Sequence, residues 1–376
     1  MIDTCIHHRW AAESELHPYL DPAWAELVGN AGSLPLGTGA RRLIPAVRYS
    51  NPAGDEMPEA RLPDGRPAGS SLETLVAQAL EPVATERAIL MFERGMFAPA
   101  ALDPYLAEAT TRAINDWSID RWAGQDDRLY GAALVPTQTP DRAAAEIRRI
   151  GAHPKIAAVL LAANGAGKLF GHPLYHPTFE AASELDLPVV IHRGGEAITE
   201  TGLTSPGGLP LTFAEHAALS PTALISHTVS LLAAGVFMRY PRLRVCLAGS
   251  GVAWVGGLLR RLELSWRANR RNVPWVQEPP AVYFRRHFRI STYGIEDGAD
   301  PEFLGRLIAM TPGLERILCY GSGYPAWDTC GADTVRALVP EAWHARVFDE
   351  NAREWFRWPG QQLELEAPAV EAGVAL

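Results

Sequence analysis

The sequence LPVVIH at residues 187–192 is an apolar run that ends in a histidine, and RGGE follows it directly. Such a run without polar alternation predicts a strand buried on both faces, as in a parallel sheet. The same layout occurs where the run 2–6 ends at His7 and where ALIS at residues 223–226 ends at His227. Loops that follow the strands of a parallel β/α barrel build its active site, so histidines at three strand ends predict one shared pocket and an enzyme.

Strand-like and helix-like patterns alternate along the whole chain. Helical patterns at 141–150 and 178–185 follow directly after a proline, a residue favoured where helices start. We predict strands near residues 2–6, 88–92, 130–135, 156–162, 187–192, 222–227, 243–248, 287–292 and 316–321. Eight or nine such units favour an α/β fold whose parallel sheet closes into a TIM (β/α)8 barrel. No G-x-G-x-x-G loop follows the first strand, so a dinucleotide-binding fold has no fingerprint in the sequence.

Two stretches interrupt this alternation. Residues 29–72 are dense in Gly, Pro, Ser and Arg and show little periodicity, which predicts a long insertion after strand 1 that covers the pocket. Residues 359–376 are rich in Glu, Ala and Pro, which predicts a loosely ordered tail. We therefore expect a single barrel domain over residues 1–358, with the insertion as part of it.

The composition limits the compartment and the class of partner. A net charge of -9 and a pI near 5.7 argue against binding to nucleic acid or to an anionic membrane surface. The N-terminus lacks a signal-peptide pattern, and no apolar run approaches the roughly 18 residues of a membrane helix. The four cysteines have no C-x-x-C spacing, which is typical of a reducing compartment. We expect a cytoplasmic protein that acts on a small molecule.

Several sequence blocks carry a resemblance to a known family. They are NDW at 115–117, AEIRR at 145–149, LPVVIH at 187–192, GVAW at 251–254, YPAWD at 324–328 and ENA at 350–352. With these blocks the chain resembles the amidohydrolase-related branch of the amidohydrolase superfamily, which includes the aminocarboxymuconate semialdehyde and γ-resorcylate decarboxylases. The resemblance covers nearly the whole chain. It implies a distorted (β/α)8 barrel, hydrolase or lyase activity, and a homodimer.

The resemblance also implies a metal site, but this chain departs from its pattern. Members bind one divalent ion, commonly zinc or manganese, through a pair of ligands after strand 1, a His after strand 5 and an Asp after strand 8. Here the strand-1 pair reads Cys5 and His7, the strand-5 ligand is His192, and Gly323 stands where the Asp belongs. Members usually also carry a Glu after strand 7, ahead of the block GVAW, and the sequence AGSG at 248–251 lacks it. Glycine has no side chain, so these positions donate no oxygen ligand.

Loss of the acidic ligands removes the negative charge that offsets a divalent cation in a buried pocket. We therefore expect no metal and no other cofactor. The alternative is a zinc site made of Cys5, His7 and His192, a softer ligand set that would select zinc over manganese or magnesium.

Without a metal, the three histidines form an acid/base set. Imidazole titrates near neutral pH and can give or take a proton. The resemblance assigns proton transfer to His227, while His192 and His7 would orient or polarise the substrate. Arg193 directly follows a strand-end histidine and could pair with a substrate carboxylate in bidentate fashion.

Five further residues are predicted to contact substrate. His8 and Glu93 follow the first and second strands, with His8 nearer the rim of the pocket because consecutive residues point apart. Trp327 and Asp328 belong to the loop after strand 8, and Trp254 begins a helix near the predicted mouth. Aromatic walls favour a flat, aromatic substrate.

Three functions remain open from the sequence. The first is a metal-independent lyase, cyclase or hydrolase that acts on a small carboxylated or aromatic metabolite, within a biosynthetic pathway. The second is a zinc-dependent hydrolase or non-oxidative decarboxylase that uses Cys5, His7 and His192. The third is a barrel that binds a ligand without catalysis, which strand-end histidines beside Arg193 disfavour.

Overall fold

Eight parallel strands form the central sheet of the computed structural model, which describes residues 1–31, 51, 54–101, 103–163, 167–194, 208–298 and 300–360. The strands are β1 (Ile2–His8), β2 (Arg87–Phe92), β3 (Leu129–Leu134), β4 (Ile156–Ala162), β5 (Val189–His192), β6 (Val245–Ala248), β7 (Phe288–Ser291) and β8 (Leu318–Cys319). Each strand pairs with the next along the chain, in the order β1 to β8. The predicted barrel is confirmed.

The helices lie between the strands along the chain. The α-helices are α1 (Pro22–Ala31), α2 (Leu72–Leu75), α3 (Pro104–Ser118), α4 (Pro140–Ile150), α5 (His176–Glu184), α6 (Phe213–Leu219), α7 (Pro221–Ala233), α8 (Val236–Arg239), α9 (Trp254–Asn269), α10 (Pro280–His287), α11 (Pro301–Met310), α12 (Ala332–Leu338) and α13 (Asn351–Trp355). Proline occupies the first turn of α3, α4, α5, α10 and α11, where its missing N–H is not needed. The predicted helices at 141–150 and 178–185 are therefore present as α4 and α5.

Side chains of the strands alternate between two apolar layers. In β4, Leu160 and Ala162 point into the barrel, where they share a core with Val190 and Cys246 of the neighbouring strands. Val159 belongs to the outer layer, which packs against the helices. A strand covered on both faces needs no polar alternation, which explains why the strand sequences are continuously apolar.

The barrel closes through the residues that follow β8. Gly323 N donates to Cys5 O at 2.8 Å, and His7 N donates to Tyr324 O at 2.7 Å. These bonds hold the loop after β8 against the end of β1. The ligand positions of β1 and the loop that carries Gly323 are therefore fixed relative to each other.

The predicted strand at 222–227 is wrong, because these residues lie in helix α7. The buried residues of α7 recur at the i, i+3, i+4, i+7 and i+8 positions of one helix face: Leu224, His227, Thr228, Leu231 and Leu232. Periodicity does not distinguish a short apolar run in a strand from one turn of a buried helix. His227 consequently ends no strand.

The predicted insertion at 29–72 lies partly outside the described residues. Its described portion contacts the loop after β8: Met57 N donates to Pro325 O at 2.9 Å, and Trp327 N donates to Asp55 O at 3.0 Å. That the whole insertion covers the pocket stays a prediction. Beyond residue 360, the predicted tail is outside the described residues as well.

Two further findings concern the environment of the chain. Within the described residues, no helix combines the length and the apolar character needed to cross a membrane. All four cysteines are buried and unpaired.

We predict that buried His227 makes stability depend on pH. Burial lowers its pKa from 6.5 to about 3, so below pH 6.5 the unfolded chain binds a proton there that the native chain does not. The contribution of the buried, neutral His227 to the free energy of unfolding is complete above pH 6.5 and is lost as the pH falls toward 3. The loss is about 2 kcal/mol at pH 5. Between pH 7 and pH 5, the free energy of unfolding measured with urea should therefore fall by about 2 kcal/mol more for the native chain than for His227→Gln.

His172→Gln, which changes an exposed histidine, is the matched control. Its free energy of unfolding should fall between pH 7 and pH 5 by the same amount as that of the native chain, to within about 0.5 kcal/mol. An equal loss in the native chain and in His227→Gln would contradict the burial of a neutral imidazole at this position.

Candidate functional site

Cys5, His7 and His192 meet at the carboxyl ends of β1 and β5. Residues 5 and 7 share one face of β1 because side chains alternate along a strand, and that face points into the barrel. Cys5 Sγ lies 3.5 Å from His192 Nε2 and 3.8 Å from His7 Nε2, and the two Nε2 atoms are 2.9 Å apart. These three residues are buried and are hereafter the trio.

Backbone carbonyls fix the tautomers of both histidines. His7 Nδ1 lies 3.1 Å from Gly323 O, and His192 Nδ1 lies 2.5 Å from Arg193 O. A carbonyl only accepts, so each Nδ1 carries the hydrogen and donates it. Each neutral imidazole then presents the lone pair of Nε2, and the two lone pairs face each other.

Burial keeps the imidazoles neutral and the thiol protonated. It lowers the pKa of His7 to about 4 and the pKa of His192 well below its usual value. It also raises the pKa of the Cys5 thiol, to which the nearby Asp3 carboxylate contributes. Two facing lone pairs beside a thiol are an arrangement that a cation would stabilise.

The spacing of the trio fits a tetrahedral metal ion. Zinc bonds of about 2.3 Å to sulfur and about 2.0–2.1 Å to nitrogen at tetrahedral angles separate sulfur from nitrogen by about 3.6 Å and the nitrogens by about 3.3 Å. The observed separations are 3.5, 3.8 and 2.9 Å. Three ligands with one open position are typical of a catalytic zinc site.

A ring fills the space beside Gly323. A Cβ at Gly323 would overlap the ring of Tyr293, and the φ of Gly323 is +71°, where residues other than glycine are strained. The Tyr293 ring contacts both histidines, with centroids 5.2 Å from His7 and 5.7 Å from His192. Tyr293 thus occupies the volume that a carboxylate side chain at Gly323 would need.

Arg193 fills a second such space, beside Gly249. A Cβ at Gly249 would lie 2.7 Å from Cγ and Cδ of Arg193. Arg193 Nη2 donates to Tyr293 Oη at 2.5 Å and to the Asp328 carboxylate. Tyr293 Oη donates to Asp328 Oδ1 at 3.1 Å. Arg193, Tyr293 and Asp328 form one hydrogen-bonded group next to the trio, hereafter the arginine group.

The amidohydrolase family model matches residues 5–358. The chain belongs to the amidohydrolase family. This confirms the resemblance seen in the sequence blocks.

Curated relatives of this amidohydrolase include γ-resorcylate decarboxylases. The enzyme of Rhizobium radiobacter is 25% identical over 272 residues, which cover 66% of this chain and 76% of that one. The enzyme of Rhodococcus jostii (strain RHA1) is 27% identical over 204 residues, or 49% of this chain, and the match spans 57% of its length.

Solved structures share the fold of the amidohydrolase. The 5-carboxyvanillate decarboxylase from Sphingomonas paucimobilis has a TM-score of 0.64 at 20% identity, covering 95% of this chain and 99% of that one. A dihydroxybenzoic acid decarboxylase from Polaromonas sp. JS666, crystallised with manganese and an inhibitor, has a TM-score of 0.61 at 19% identity, covering 94% and 97%.

The expectation that no cofactor is used is wrong. Manganese is bound in the Polaromonas decarboxylase and in a 5-carboxyvanillate decarboxylase from Novosphingobium aromaticivorans, which points to a metal in this family. The expectation failed because it equated the loss of a carboxylate at Gly323 with the loss of the site. Three ligating side chains still converge in this amidohydrolase.

Two predicted histidines lie elsewhere in the amidohydrolase. The His227 ring stacks on Phe170, and its Nδ1 accepts from Phe170 N at 3.1 Å. His8 was expected at the pocket rim, but β1 continues through it and its ring is buried on the outer face, stacked on Trp117. His8 Nδ1 donates to Met91 O, and its Nε2 is 2.7 Å from a serine hydroxyl of α3. The functional roles predicted for both stay predictions, and neither ring is among the trio.

The remaining predicted contacts, apart from Trp254, line one of two cavities. Trp327 and Asp328 line a cavity of about 460 Å³ together with Arg193. Glu93, which forms an ion pair with Arg9 at 3.0 Å, lines a separate cavity of about 540 Å³. Trp254 is outside the lining of both, and its Nε1 donates to Ser250 O at 2.8 Å.

Sequence reasoning missed Asp3 and Tyr293. Asp3 is buried below the trio and accepts from Cys5 N at 3.0 Å and from Ser322 N at 3.1 Å. Burial raises its pKa to about 7. Tyr293 follows β7 by two residues, so its place after a predicted strand was the signal that could have found it.

Gly323→Ala should be far more destabilising with the Tyr293 ring present than without it. In the native background the Cβ overlaps the ring, whereas in a Tyr293→Ala background only the left-handed backbone remains, worth about 1–2 kcal/mol. A double-mutant cycle of unfolding free energies should therefore show a coupling of at least about 1 kcal/mol.

Gly167→Ala is the control, since Gly167 has a φ of +65° and open space around its Cβ position, so its cost isolates the backbone effect. Additive effects of Gly323→Ala and Tyr293→Ala would contradict the placement of the ring.

Proposed function

We propose that this amidohydrolase is a metal-dependent lyase that removes the carboxyl group of a small aromatic carboxylate. The observation that carries the proposal is the trio: two Nε2 lone pairs and one sulfur converge at the catalytic end of the barrel. The named activities of the curated relatives, which are γ-resorcylate decarboxylases, supply the substrate class.

Cys5, His7 and His192 would hold the metal ion. A thiolate with two imidazoles favours zinc over manganese, in contrast to the ion crystallised with the structural relatives. When bound, such an ion supplies a Lewis acid and a positive charge to a substrate oxygen. Buried Asp3, which accepts from Cys5 N, contributes negative charge near the site.

The arginine group would bind the substrate and supply a proton to it. The Arg193 guanidinium binds its carboxylate, because the planar fork of N–H donors matches the two oxygens. Replacement of a carboxyl group by hydrogen requires a proton at the ring carbon. We assign its transfer to the Tyr293 phenol, which would give its hydroxyl proton to the ring carbon as CO2 leaves and regain a proton from water. We prefer Tyr293 to His227 because its ring contacts both trio histidines, while His227 contacts Phe170. The Asp328 carboxylate accepts from the Tyr293 hydroxyl.

We also propose the homodimer that the resemblance implies. Leu264 on α9 is 71% exposed, and the resemblance places residues 260–275, which include it, near the subunit contact. A sedimentation mass equal to one 40.9 kDa chain would rule the dimer out.

Cys5→Ser should remove the metal from the purified protein. A serine hydroxyl replaces the thiolate ligand at neutral pH only poorly, so metal affinity should fall by roughly a hundredfold or more. Elemental analysis after dialysis against a weak chelator measures this loss.

Cys246→Ser is the matched control, because Cys246 is equally buried inside the barrel but is not part of the trio. It should retain stoichiometric metal. Equal loss from both variants, or stoichiometric metal in Cys5→Ser, would exclude the proposed ligand set.

Turnover should depend on both the metal and an aromatic carboxylate. We expect release of CO2 from 2,6-dihydroxybenzoate or 5-carboxyvanillate by zinc-loaded protein, loss of this activity after chelation, and its recovery on adding zinc. Quantifying CO2 and the decarboxylated product together checks the reaction. Metal-loaded protein that leaves a panel of hydroxybenzoates unchanged would exclude the decarboxylase function.

A further inference from the structure

A cavity of about 460 Å³ is lined by two members of the arginine group and by no residue of the trio. Its lining includes Arg193, Gly249, Asp297, Trp327 and Asp328. Trp327 is 46% exposed and offers a flat apolar surface, whereas Arg193, Asp297 and Asp328 bring charges to the same lining. An indole beside a guanidinium suits a ligand with a flat ring and a negative group.

The Asp328 carboxylate forms an ion pair with the guanidinium of Arg193. The ion pair is largely buried, with side-chain exposures of 19% for Arg193 and 16% for Asp328, yet both residues still line the cavity. The guanidinium that an incoming carboxylate would bind is therefore already paired with the Asp328 carboxylate. The pair is accessible from the cavity, unlike an ion pair enclosed in a core.

The glycine at position 249 leaves room for Arg193 in this position. Gly249 has a φ of +78°, and any side chain there would collide with the aliphatic part of Arg193. The same nitrogen, Nη2, bonds both Tyr293 Oη and Asp328. A group that replaces Asp328 on Arg193 would consequently lie against Tyr293, whose ring contacts the histidines of the trio.

We propose that Arg193 is the binding site for the substrate carboxylate and that Asp328 is an internal carboxylate that occupies it until substrate displaces it. The proposal rests on the proposed function for the identity of the substrate. It assigns Asp328 a second task besides accepting from the Tyr293 hydroxyl, which is to discriminate against ligands that lack a carboxylate. A neutral ligand has nothing with which to replace the ion pair, so it gains no contact with the guanidinium.

Displacement has a measurable consequence for affinity. Substrate binds only the form in which Arg193 is released, so the apparent affinity is lower than the intrinsic affinity by the fraction of that form. Removing the charge of Asp328 should raise that fraction. Binding should therefore become tighter, whereas substitution of a residue that only supports the pocket should weaken it.

The test measures binding of 2,6-dihydroxybenzoate by titration calorimetry to chelator-treated protein, because zinc-loaded protein is expected to convert this ligand during the titration. Asp328→Asn should lower the Kd by about tenfold, since the neutral amide competes weakly for the guanidinium. Arg193→Gln should raise it by at least about tenfold. Resorcinol, which has the same ring without the carboxylate, should bind all three proteins within about twofold.

Asp297→Asn is the matched control, because it removes one negative charge from the same cavity at a residue without a bond to Arg193. It should change the Kd by less than about twofold. Tyr293→Phe is a second variant that keeps the ring and removes the hydroxyl, which accepts from Arg193 and donates to Asp328, so it should change the Kd by less than Asp328→Asn does.

An unchanged or raised Kd in folded Asp328→Asn would overturn the proposal, as would equal tightening by Asp297→Asn. Failure of the decarboxylase function looks different: binding would tighten in Asp328→Asn while the native, zinc-loaded protein released no CO2. Binding and turnover thus separate the two conclusions.

Discussion

The site depends on two hydrogen bonds from imidazole Nδ1 atoms to backbone carbonyls, at Gly323 and Arg193. They fix both tautomers, so that two unprotonated nitrogens face each other at 2.9 Å next to the Cys5 sulfur. Like-oriented lone pairs at this distance repel unless a positive charge lies beside them. The Gly323 carbonyl is itself held by the bonds that close the barrel, so the geometry of the trio follows from the fold.

Glycine at two strand-end positions changes what surrounds the trio. At Gly323 and Gly249 the absence of a side chain leaves room for Tyr293 and Arg193, which then bond to each other and to Asp328. A carboxylate that would have contacted the metal directly is thereby replaced by a cation and a phenol one layer further out. The cation is neutralised by Asp328, which limits its repulsion of a metal ion.

Much of the fold could be predicted from the sequence, because buried parallel strands such as 187–192 and 156–162 are continuous apolar runs. The run at 222–227 has the same composition but belongs to a helix, which only the wider spacing of its buried residues indicates. For the site, the alternation along β1 and the end of β5 correctly brought Cys5, His7 and His192 together. The place of Tyr293 after a strand could have been noticed, but the overlap of its ring with a side chain at position 323 could not be predicted, because that contact exists only in three dimensions.

The backbone around Asp328 is pinned on both sides. Trp327 N donates to Asp55 O before it, and Cys330 N donates to Ser322 O at 2.8 Å after it. The carboxylate can therefore leave Arg193 by rotation about its own two side-chain torsions, without opening the loop. Because only one side chain would have to move, admission of a ligand would require no rearrangement of the backbone.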